Sequence, residues 1–359
     1  MRPTIMEVNL ENFKYNINSI KSKITNNTKI MPVIKANAYG TYINTRLDII
    51  NEFDIVAVAI SNEGKKLREI GYKKEIFILN QPDFEEIDEI IENDLTIGVS
   101  NKEFIRILGT KNNYFRVHLE IETGMGRTGI HPDSVKEYVD LIMQYPNIKI
   151  EGIYTHMSAA DSDYEYTKKQ IQSFEKALKI VKQKVENLKY IHAEASNGLI
   201  NFSEAQYNLV RPGIIMYGYS SGDGILDKIN LRPVCKLKSK ITFLKTVKVG
   251  TSIGYSRSFI TKRETKIATI PIGYADGLRR ELSNGGKVYI NGNIARIIGK
   301  VCMDGIMVDV TDLNKVNIGD DVWIWDNENI TLDEVAKECG TINYEIMSTI
   351  SSRVPRVFK

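Results

Sequence analysis

Short apolar runs alternate with longer amphipathic stretches through the first two thirds of the 359-residue chain. Between them, apolar residues recur at helical spacings of three and four, most clearly in the stretch 171–185. Eight strands that alternate with helices predict an α/β fold, a (β/α)8 TIM barrel. The eight apolar runs are 30–34, 55–60, 76–79, 95–99, 115–121, 148–154, 190–193 and 209–216.

The pattern changes after about residue 226. Apolar and polar residues alternate over 235–241, which indicates a strand, and turn-forming glycine and asparagine residues become frequent beyond it. A helical pattern is confined to about 332–338 and 344–351. We therefore predict a barrel domain over residues 1–226 and a mostly β domain over residues 227–359.

Charge and composition exclude several classes of protein. The chain has 48 basic and 45 acidic residues, a balance that gives no reason to expect a nucleic-acid or membrane partner. The first residues lack the pattern of a signal peptide, and no apolar run is long enough to span a membrane. The three cysteines and four histidines are widely spaced, which predicts neither disulfides nor a metal site. We expect a soluble cytoplasmic protein.

The run Pro32-Val33-Ile34-Lys35-Ala36-Asn37-Ala38-Tyr39-Gly40 places a lysine at the end of the first predicted strand. Active sites of barrels lie at the carboxyl ends of the strands. A partly desolvated lysine loses its proton more readily and can form an imine with a carbonyl compound. Lys35 is therefore a candidate Schiff-base residue, although its position alone also fits a solvated surface lysine.

Further motifs follow the later strands. A glycine-rich loop after the fifth run ends in Arg127, a residue type that can bind a carboxylate or a phenolate oxygen. His156 follows the sixth run. After the eighth run, Arg211-Pro212-Gly213-Ile214 offers backbone N–H groups where barrels often bind phosphate. A buried Arg211 would need a partner, which a ring nitrogen can provide.

The predicted β domain contains two tyrosines beside glycines, Tyr255 and Tyr274. Taken alone, they also fit aromatic residues that pack in hairpins. Cys302 has no histidine near it in the sequence, and we interpret it as a small apolar core residue.

In this order, the motifs resemble those of the alanine racemase family, which are fold-type III enzymes that use pyridoxal 5′-phosphate (PLP). The resemblance extends over nearly the whole chain, from Glu7-Val8-Asn9-Leu10 to Arg353-Val354-Pro355-Arg356. Its most specific parts are Lys-Ala-Asn-Ala-Tyr-Gly at 35–40, Arg-Pro-Gly-Ile…Tyr-Gly at 211–218 and Ile-Gly-Tyr-Ala-Asp-Gly at 272–277.

The resemblance implies a role for each matching residue. Lys35 and Tyr255 would be the two catalytic bases, which exchange a proton with opposite faces of the substrate α-carbon. Substrate binding would fall to Arg127, Tyr274 and the backbone N–H of Met303, and His192 would support Arg211. The cofactor-binding residues implied by the resemblance are Lys35, Tyr39, Arg127, His156, Ser196, Arg211, Gly213, Ile214 and Tyr344.

The family also implies a partner. Its second catalytic tyrosine comes from the other subunit, so the resemblance predicts a homodimer with an active site shared between subunits. The substrate would be an amino acid, L- or D-alanine, and D-alanine for peptidoglycan would be the use of the product.

The chain departs from the family pattern at several positions. Glu120 stands where many members have a lysine modified to a carbamate, and we predict that Glu120 pairs with Arg127 without any modified lysine. Ala195 stands in place of an asparagine that contacts the cofactor, while Ser196 is kept. Thr41 replaces a usual histidine, with a short deletion behind it.

Other functions on the same fold stay open. A serine or broad-specificity amino-acid racemase is one alternative. Serine-preferring relatives share the Ser-Asn-Gly run at 196–198, but they typically carry an asparagine at the position of Tyr344. Decarboxylases of this fold type place an acidic residue at the position of Arg211, and arginine therefore argues against that class. Non-catalytic PLP-binding proteins usually lack a second domain, whereas residues 227–359 here are well patterned.

Overall fold

The computed structural model describes residues 2–202, 207–220 and 224–359. The chain divides into two compact units. The barrel unit consists of Tyr15–Ala38 and Tyr42–Leu231, and the sheet unit consists of Met1–Lys14, Tyr39–Thr41 and Arg232–Lys359.

The strands are numbered along the chain. They are β1 Ile5–Val8, β2 Lys29–Ile30, β3 Ile55–Val58, β4 Glu75–Ile78, β5 Thr96–Val99, β6 Phe115–Glu120, β7 Ile148–Tyr154, β8 Tyr190–His192, β9 Leu209–Val210, β10 Cys235–Lys240, β11 Phe243–Val247, β12 Ser252–Ile253, β13 Phe259–Ile260, β14 Thr265–Ile270, β15 Lys287–Ile290, β16 Asn293–Ile298, β17 Ile306–Asp309, β18 Asp321–Trp325 and β19 Arg356–Phe358.

The α-helices lie between these strands. Within the described ranges, no helix combines the length and the apolar composition that a membrane span requires. The helices are Leu10–Lys21, Leu47–Ile50, Ser61–Glu69, Ile87–Glu92, Lys102–Thr110, Val135–Ile142, Tyr164–Lys182, Ser196–Asn201, Ile225–Lys228, Leu332–Glu338 and Asn343–Ser348.

In the part of the chain that the structure describes, eight parallel strands close into a barrel. Strands β3 to β8 pair in sequence order, and β2 pairs with β9. Ala57 N donates to Pro32 O at 2.8 Å, which joins β3 to the segment after β2. Arg211 N donates to Glu194 O at 2.9 Å, which joins the segments after β8 and β9. Each of the eight predicted apolar runs overlaps one barrel strand, and the predicted barrel is confirmed.

Burial explains why these strands read as continuous apolar runs. All four residues of β3, Ile-Val-Ala-Val, are buried, because helices cover a parallel barrel outside and side chains fill it inside. The helix Tyr164–Lys182 shows the other pattern. It begins after Asp163, whose side chain accepts from Tyr166 N at 2.9 Å, and it buries Phe174, Leu178 and Val181 on one face.

Over the described residues, the sheet unit forms a nine-stranded sheet in the order β11-β14-β17-β16-β15-β18-β10-β1-β19. The predicted mostly β character of this region is confirmed. Strand β1 pairs antiparallel with β10 and parallel with β19. We predicted residues 1–226 as one domain, so β1 lies in a different unit from the one that its position suggests. The sequence of a four-residue strand does not indicate which other strands pair with it.

Trp325 is the largest fully buried side chain of the sheet unit, at 0% exposure, and it pairs with Leu237 across β18 and β10. We expect Trp325→Ala to lower the free energy of unfolding by about 3–5 kcal/mol, because it leaves a large cavity. Trp323 lies two residues earlier on the same strand and is only half-buried. Trp323→Ala is therefore the control, and denaturant titration should show a clearly smaller loss for it.

Candidate active site

Polar residues of the barrel unit follow the carboxyl ends of its strands. Lys35 comes after β2, Glu120 ends β6, His192 ends β8 and Arg211 follows β9. Because parallel strands point the same way, their carboxyl ends meet at one rim of the barrel. The fold therefore gathers residues from distant parts of the sequence.

The surroundings of Lys35 favour its neutral amine. Burial lowers the pKa of Lys35, and the positive charge of Arg127 lowers this pKa further, while the carboxylate of Glu63 opposes both effects. The neutral amine is the form of a lysine that attacks a carbonyl carbon. Lys35 is therefore prepared for covalent chemistry more than a solvated lysine is.

The backbone after Lys35 is strained. Residues 36–39 all have φ between 52° and 55°, in the left-handed region. There, a residue with a side chain costs roughly 1–2 kcal/mol. Glu63 supports the start of this turn, because its Oε1 accepts from Ala36 N at 2.6 Å and its Oε2 accepts from Ala59 N at 2.8 Å. Such strain persists only where the surrounding structure maintains it, and it concentrates at functional sites.

Arg211 is buried, with 2% of its surface exposed. Its Nη1 donates to His192 Nδ1 at 2.7 Å, and its Nη2 donates to the carbonyl oxygens of Thr155 at 2.7 Å and Ala193 at 3.0 Å. No residue in the described ranges accepts a hydrogen bond from its Nε. Burial lowers the pKa of Arg211 to about 10, so the guanidinium stays charged at neutral pH.

The guanidinium determines the tautomers of two histidines behind it. Because Arg211 can only donate, His192 Nδ1 must accept, and the proton of His192 lies on Nε2. His192 Nε2 is 2.9 Å from His118 Nδ1 and donates to it. Burial, with the charge of Arg211 as a further cause, lowers the pKa of His192 well below its ordinary value and that of His118 to about 3. Both rings are neutral at physiological pH.

Two more groups near Arg211 are also uncharged at neutral pH. Burial lowers the pKa of His156 to about 3, and the charges of Arg211 and Arg127 add to this effect. Burial raises the pKa of Glu194 to about 8 despite the opposing charge of Arg211. The ring of His156 makes no hydrogen bond to any described residue, so its predicted role stays a prediction.

Arg127 lies on the glycine-rich loop, whose shape depends on Glu122. Glu122 Oε1 accepts from Gly124 N at 2.5 Å, and its Oε2 accepts from Gly126 N at 2.8 Å and from Arg127 N at 3.3 Å. The Glu122 carboxylate therefore accepts hydrogen bonds from three backbone N–H groups of the loop, and these bonds set the position of Arg127 at the rim of the barrel.

Glu120 and Arg127 approach each other as predicted, although they do not form a hydrogen bond. Arg127 Nη2 is 4.0 Å from Glu120 Oε1, which instead accepts from Thr128 Oγ1 at 2.9 Å. Burial raises the pKa of Glu120, and the Thr128 hydrogen bond and the charge of Arg127 both oppose this rise. The two side chains therefore form an ion pair at long range.

Ser196 and Gly213 meet after β8 and β9. Ser196 Oγ accepts from Gly213 N at 3.0 Å. Ile214 begins the short 3₁₀ helix Ile214–Tyr217, so its N–H has no acceptor within that helix. A hydroxyl beside such N–H groups can hold phosphate oxygens.

The remaining predicted residues lie in the sheet unit. The rings of Tyr39 and Tyr344 are 6.0 Å apart, and burial together with Tyr344 holds the pKa of Tyr39 well above its ordinary value. Tyr255 is 68% exposed, on a turn in which Ser256 has φ 58°. Tyr274 and Met303 are also exposed.

The sequence analysis missed Glu63 and Glu122, which orient the turn after Lys35 and the loop of Arg127. It also missed His118, which accepts a hydrogen bond from His192 behind Arg211. His118 lies in the fifth apolar run and Glu122 directly follows that run, but a buried hydrogen-bond partner has no residue pattern of its own. Glu63 lies in a helix after β3 and carried no signal.

Comparison with known proteins identifies the family of the chain. Residues 8–221 match the family model "Alanine racemase, N-terminal domain", and residues 234–358 match "Alanine racemase, C-terminal domain". An alanine racemase of Carboxydothermus hydrogenoformans is 40% identical, with 100% of both chains covered. "Alanine racemase 2" of Caldanaerobacter subterraneus is 37% identical over 100% of this chain and 95% of its own.

Solved structures show the same similarity. The alanine racemase of Bacillus anthracis with bound L-Ala-P has a TM-score of 0.94 at 34% identity, covering 100% of this chain and 95% of that one. The alanine racemase of Clostridium difficile has a TM-score of 0.93 at 35% identity, covering 100% and 96%. This chain belongs to the alanine racemase family.

The charges beside Lys35 generate a prediction about its reactivity. Arg127→Met should raise the pKa of Lys35, because it removes a cause of the lowering, and Glu63→Gln should lower this pKa further. Imine formation needs the neutral amine. The pH at which Lys35 becomes reactive should therefore rise in Arg127→Met and fall in Glu63→Gln. Capture of the imine with a small aldehyde and borohydride, followed by mass spectrometry of the Lys35 peptide, measures the profile.

Exposed Lys21 in the same protein is the reference for this labelling, and its profile should not differ between variants. A shift of the Lys35 profile in the same direction for both variants would contradict the electrostatic account.

Proposed function

We propose that the protein is a PLP-dependent alanine racemase that interconverts L- and D-alanine. The observation that carries this proposal is the environment of Lys35, an amine with a lowered pKa on a barrel rim, next to Arg127. Relatives named alanine racemase that match the whole chain support it.

The residues of the barrel unit fit PLP. Lys35 would attach the cofactor, Ser196, Gly213 and Ile214 would bind its phosphate, and Arg127 would face its phenolic oxygen. Arg211 supports the fit most directly, because a buried arginine with an unused Nε–H suits a ring nitrogen as acceptor. When bound, PLP supplies an electron sink that stabilises negative charge at the substrate α-carbon.

Arg211 also favours racemisation over other PLP reactions. Its pKa of about 10 keeps it a donor at neutral pH, so a ring nitrogen that accepts from it stays unprotonated. An unprotonated PLP ring would withdraw electrons less strongly, so less negative charge from the substrate α-carbon would be delocalised into the ring. Proton return to the α-carbon is then favoured over transamination or decarboxylation.

Two bases on opposite faces of the α-carbon suit racemisation, because one proton leaves from one side and another returns from the other. Lys35 Nζ would serve one face. Tyr255 Oη would serve the second face from the partner subunit of a homodimer. The 68% exposure of Tyr255 supports this assignment, since a residue offered to another chain must be accessible in a single one.

Alanine is the substrate that we favour. Tyr344 and Tyr39 place two aromatic rings together, which suits a small side chain better than the asparagine of serine-preferring relatives does. Exclusion of one added hydroxyl by such a pocket is worth only about 1–3 kcal/mol, so serine should react more slowly rather than not at all. Supply of D-alanine to peptidoglycan and a cytoplasmic location stay predictions.

Mixing two inactive variants tests the shared site. Lys35→Ala and Tyr255→Phe should each abolish most racemisation, measured with L-alanine in a D-amino-acid oxidase assay. In a mixed dimer, one site combines intact Lys35 with intact Tyr255, so exchange of subunits should restore about a quarter of wild-type activity.

Tyr114→Phe, an exposed tyrosine of the barrel unit, is the matched control and should keep wild-type activity. No recovery after demonstrated subunit exchange would show that Tyr255 acts within its own chain or not at all.

Replacement of Arg211 tests its effect on reaction choice. Arg211→Glu should increase pyruvate formation per racemisation event by about tenfold or more, because an acidic residue favours a protonated ring nitrogen. Arg211→Lys keeps a positive donor and should give a smaller increase. Pyruvate is measured with lactate dehydrogenase beside the racemase assay, and an unchanged ratio in Arg211→Glu would overturn the argument.

A further inference from the structure

Four charged residues of the sheet unit form one ion-pair cluster, which we call the Asp276 cluster: Arg2, Asp276, Asp304 and Arg353. Arg2 precedes β1, and Arg353 precedes β19. Asp276 and Asp304 belong to two different turns. The cluster therefore connects parts of the chain that are far apart in the sequence.

Arg2 bridges the two turns. Its Nη1 donates to Asp276 Oδ1 at 2.6 Å and its Nη2 donates to Asp276 Oδ2 at 2.8 Å, which is a two-point pairing. The same Nη2 donates to the backbone oxygen of Asp304 at 2.9 Å. Arg353 repeats the bridge, with Nε 3.6 Å from Asp276 Oδ1 and Nη2 donating to Asp304 Oδ1 at 2.6 Å.

The side chain of Asp276 is 0% exposed. A buried carboxylate without partners is costly, so the two arginines and the N–H of Gly273, which donates to Asp276 Oδ2 at 2.8 Å, are needed to stabilise it. The buried carboxylate of Asp276 is therefore the central group of the cluster, which both arginines contact.

The turns that the cluster joins are in backbone contact. Tyr274 N donates to Cys302 O and Ala275 N donates to Met303 O, each at 3.0 Å. A Cβ at Gly273 would overlap the carbonyl oxygens of Cys302 and Met303, so only glycine permits this approach. Within the described residues, nothing accepts a hydrogen bond from Met303 N, which leaves that N–H available.

We propose that the Asp276 cluster positions the Met303 N–H for the carboxylate of the substrate, with Arg2 and Asp276 as positioning residues. This inference rests on the proposed function and on the substrate-binding role that the family resemblance implies for that N–H. The carboxylate is present in the substrate and unchanged by the reaction, so the contact contributes equally before and during proton transfer. Its loss should raise KM and leave kcat nearly unchanged.

Two variants test the proposal in the full-length holoenzyme. Asp276→Asn keeps an oxygen for Gly273 N but removes the charge, and Arg2→Gln removes the bridge from a partly exposed position. Each should raise the KM for alanine about tenfold and change kcat by less than about threefold. Arg2→Lys keeps the charge and should recover part of the loss. Arg263→Gln breaks the exposed pair with Asp312 in the same unit and should change neither constant.

Amide hydrogen exchange gives a second readout that needs no activity. In protein without cofactor, the peptide that covers 302–305 should exchange faster in Asp276→Asn and Arg2→Gln than in the wild type or in Arg263→Gln. Unchanged exchange with unchanged KM would overturn the proposal, and so would a parallel fall in kcat and melting temperature without a rise in KM.

If the wild type racemises no amino acid, the proposed function fails. Faster exchange of 302–305 in the two variants would still support the positioning of this turn by the cluster, and unchanged exchange would overturn it. The two failures are therefore distinguishable.

Discussion

Closure of the barrel is the constraint on which the rest of the site depends. The first and last strands, β2 and β9, are only two residues long each, and main-chain hydrogen bonds of the segments beyond them complete the circle. The same segments carry Lys35 and Arg211. The contacts that close the barrel therefore also hold these two residues at its rim. A change that breaks those contacts would displace the site as well.

The electrostatics of the site follow from burial. Arg211 keeps its charge at a pKa of about 10, while burial keeps His118, His156 and His192 neutral. Among the described residues, the guanidinium donates its hydrogen bonds to carbonyl oxygens and one ring nitrogen rather than to a carboxylate. The Arg211 guanidinium therefore remains a charged hydrogen-bond donor without a carboxylate of those residues bonded to it. Its positive charge contributes to lowering the pKa values of the three histidines.

Much of this fold was readable from the sequence because its signals are local. Each barrel strand overlaps an apolar run, and β3 is buried throughout, while the helix Tyr164–Lys182 shows a clear apolar face. The motif of Lys35 is local as well. Strand β1 was misplaced, because its pairing with β10 and β19 depends on residues more than 200 positions away. The pairing of Arg2 with Asp276 was invisible for the same reason, whereas the family resemblance had placed His192 beside Arg211, where the structure has it.

The sequence by itself determined the barrel, the β-rich second part, the family and the residue types of the site, since periodicity and ordered motifs are properties of neighbours along the chain. Only the tertiary structure decided the protonation of these residues, the left-handed turn after Lys35 and the cluster around Asp276. Burial, charge proximity and backbone strain depend on what lies nearby in space, and residues that are distant in the sequence supply most of those neighbours.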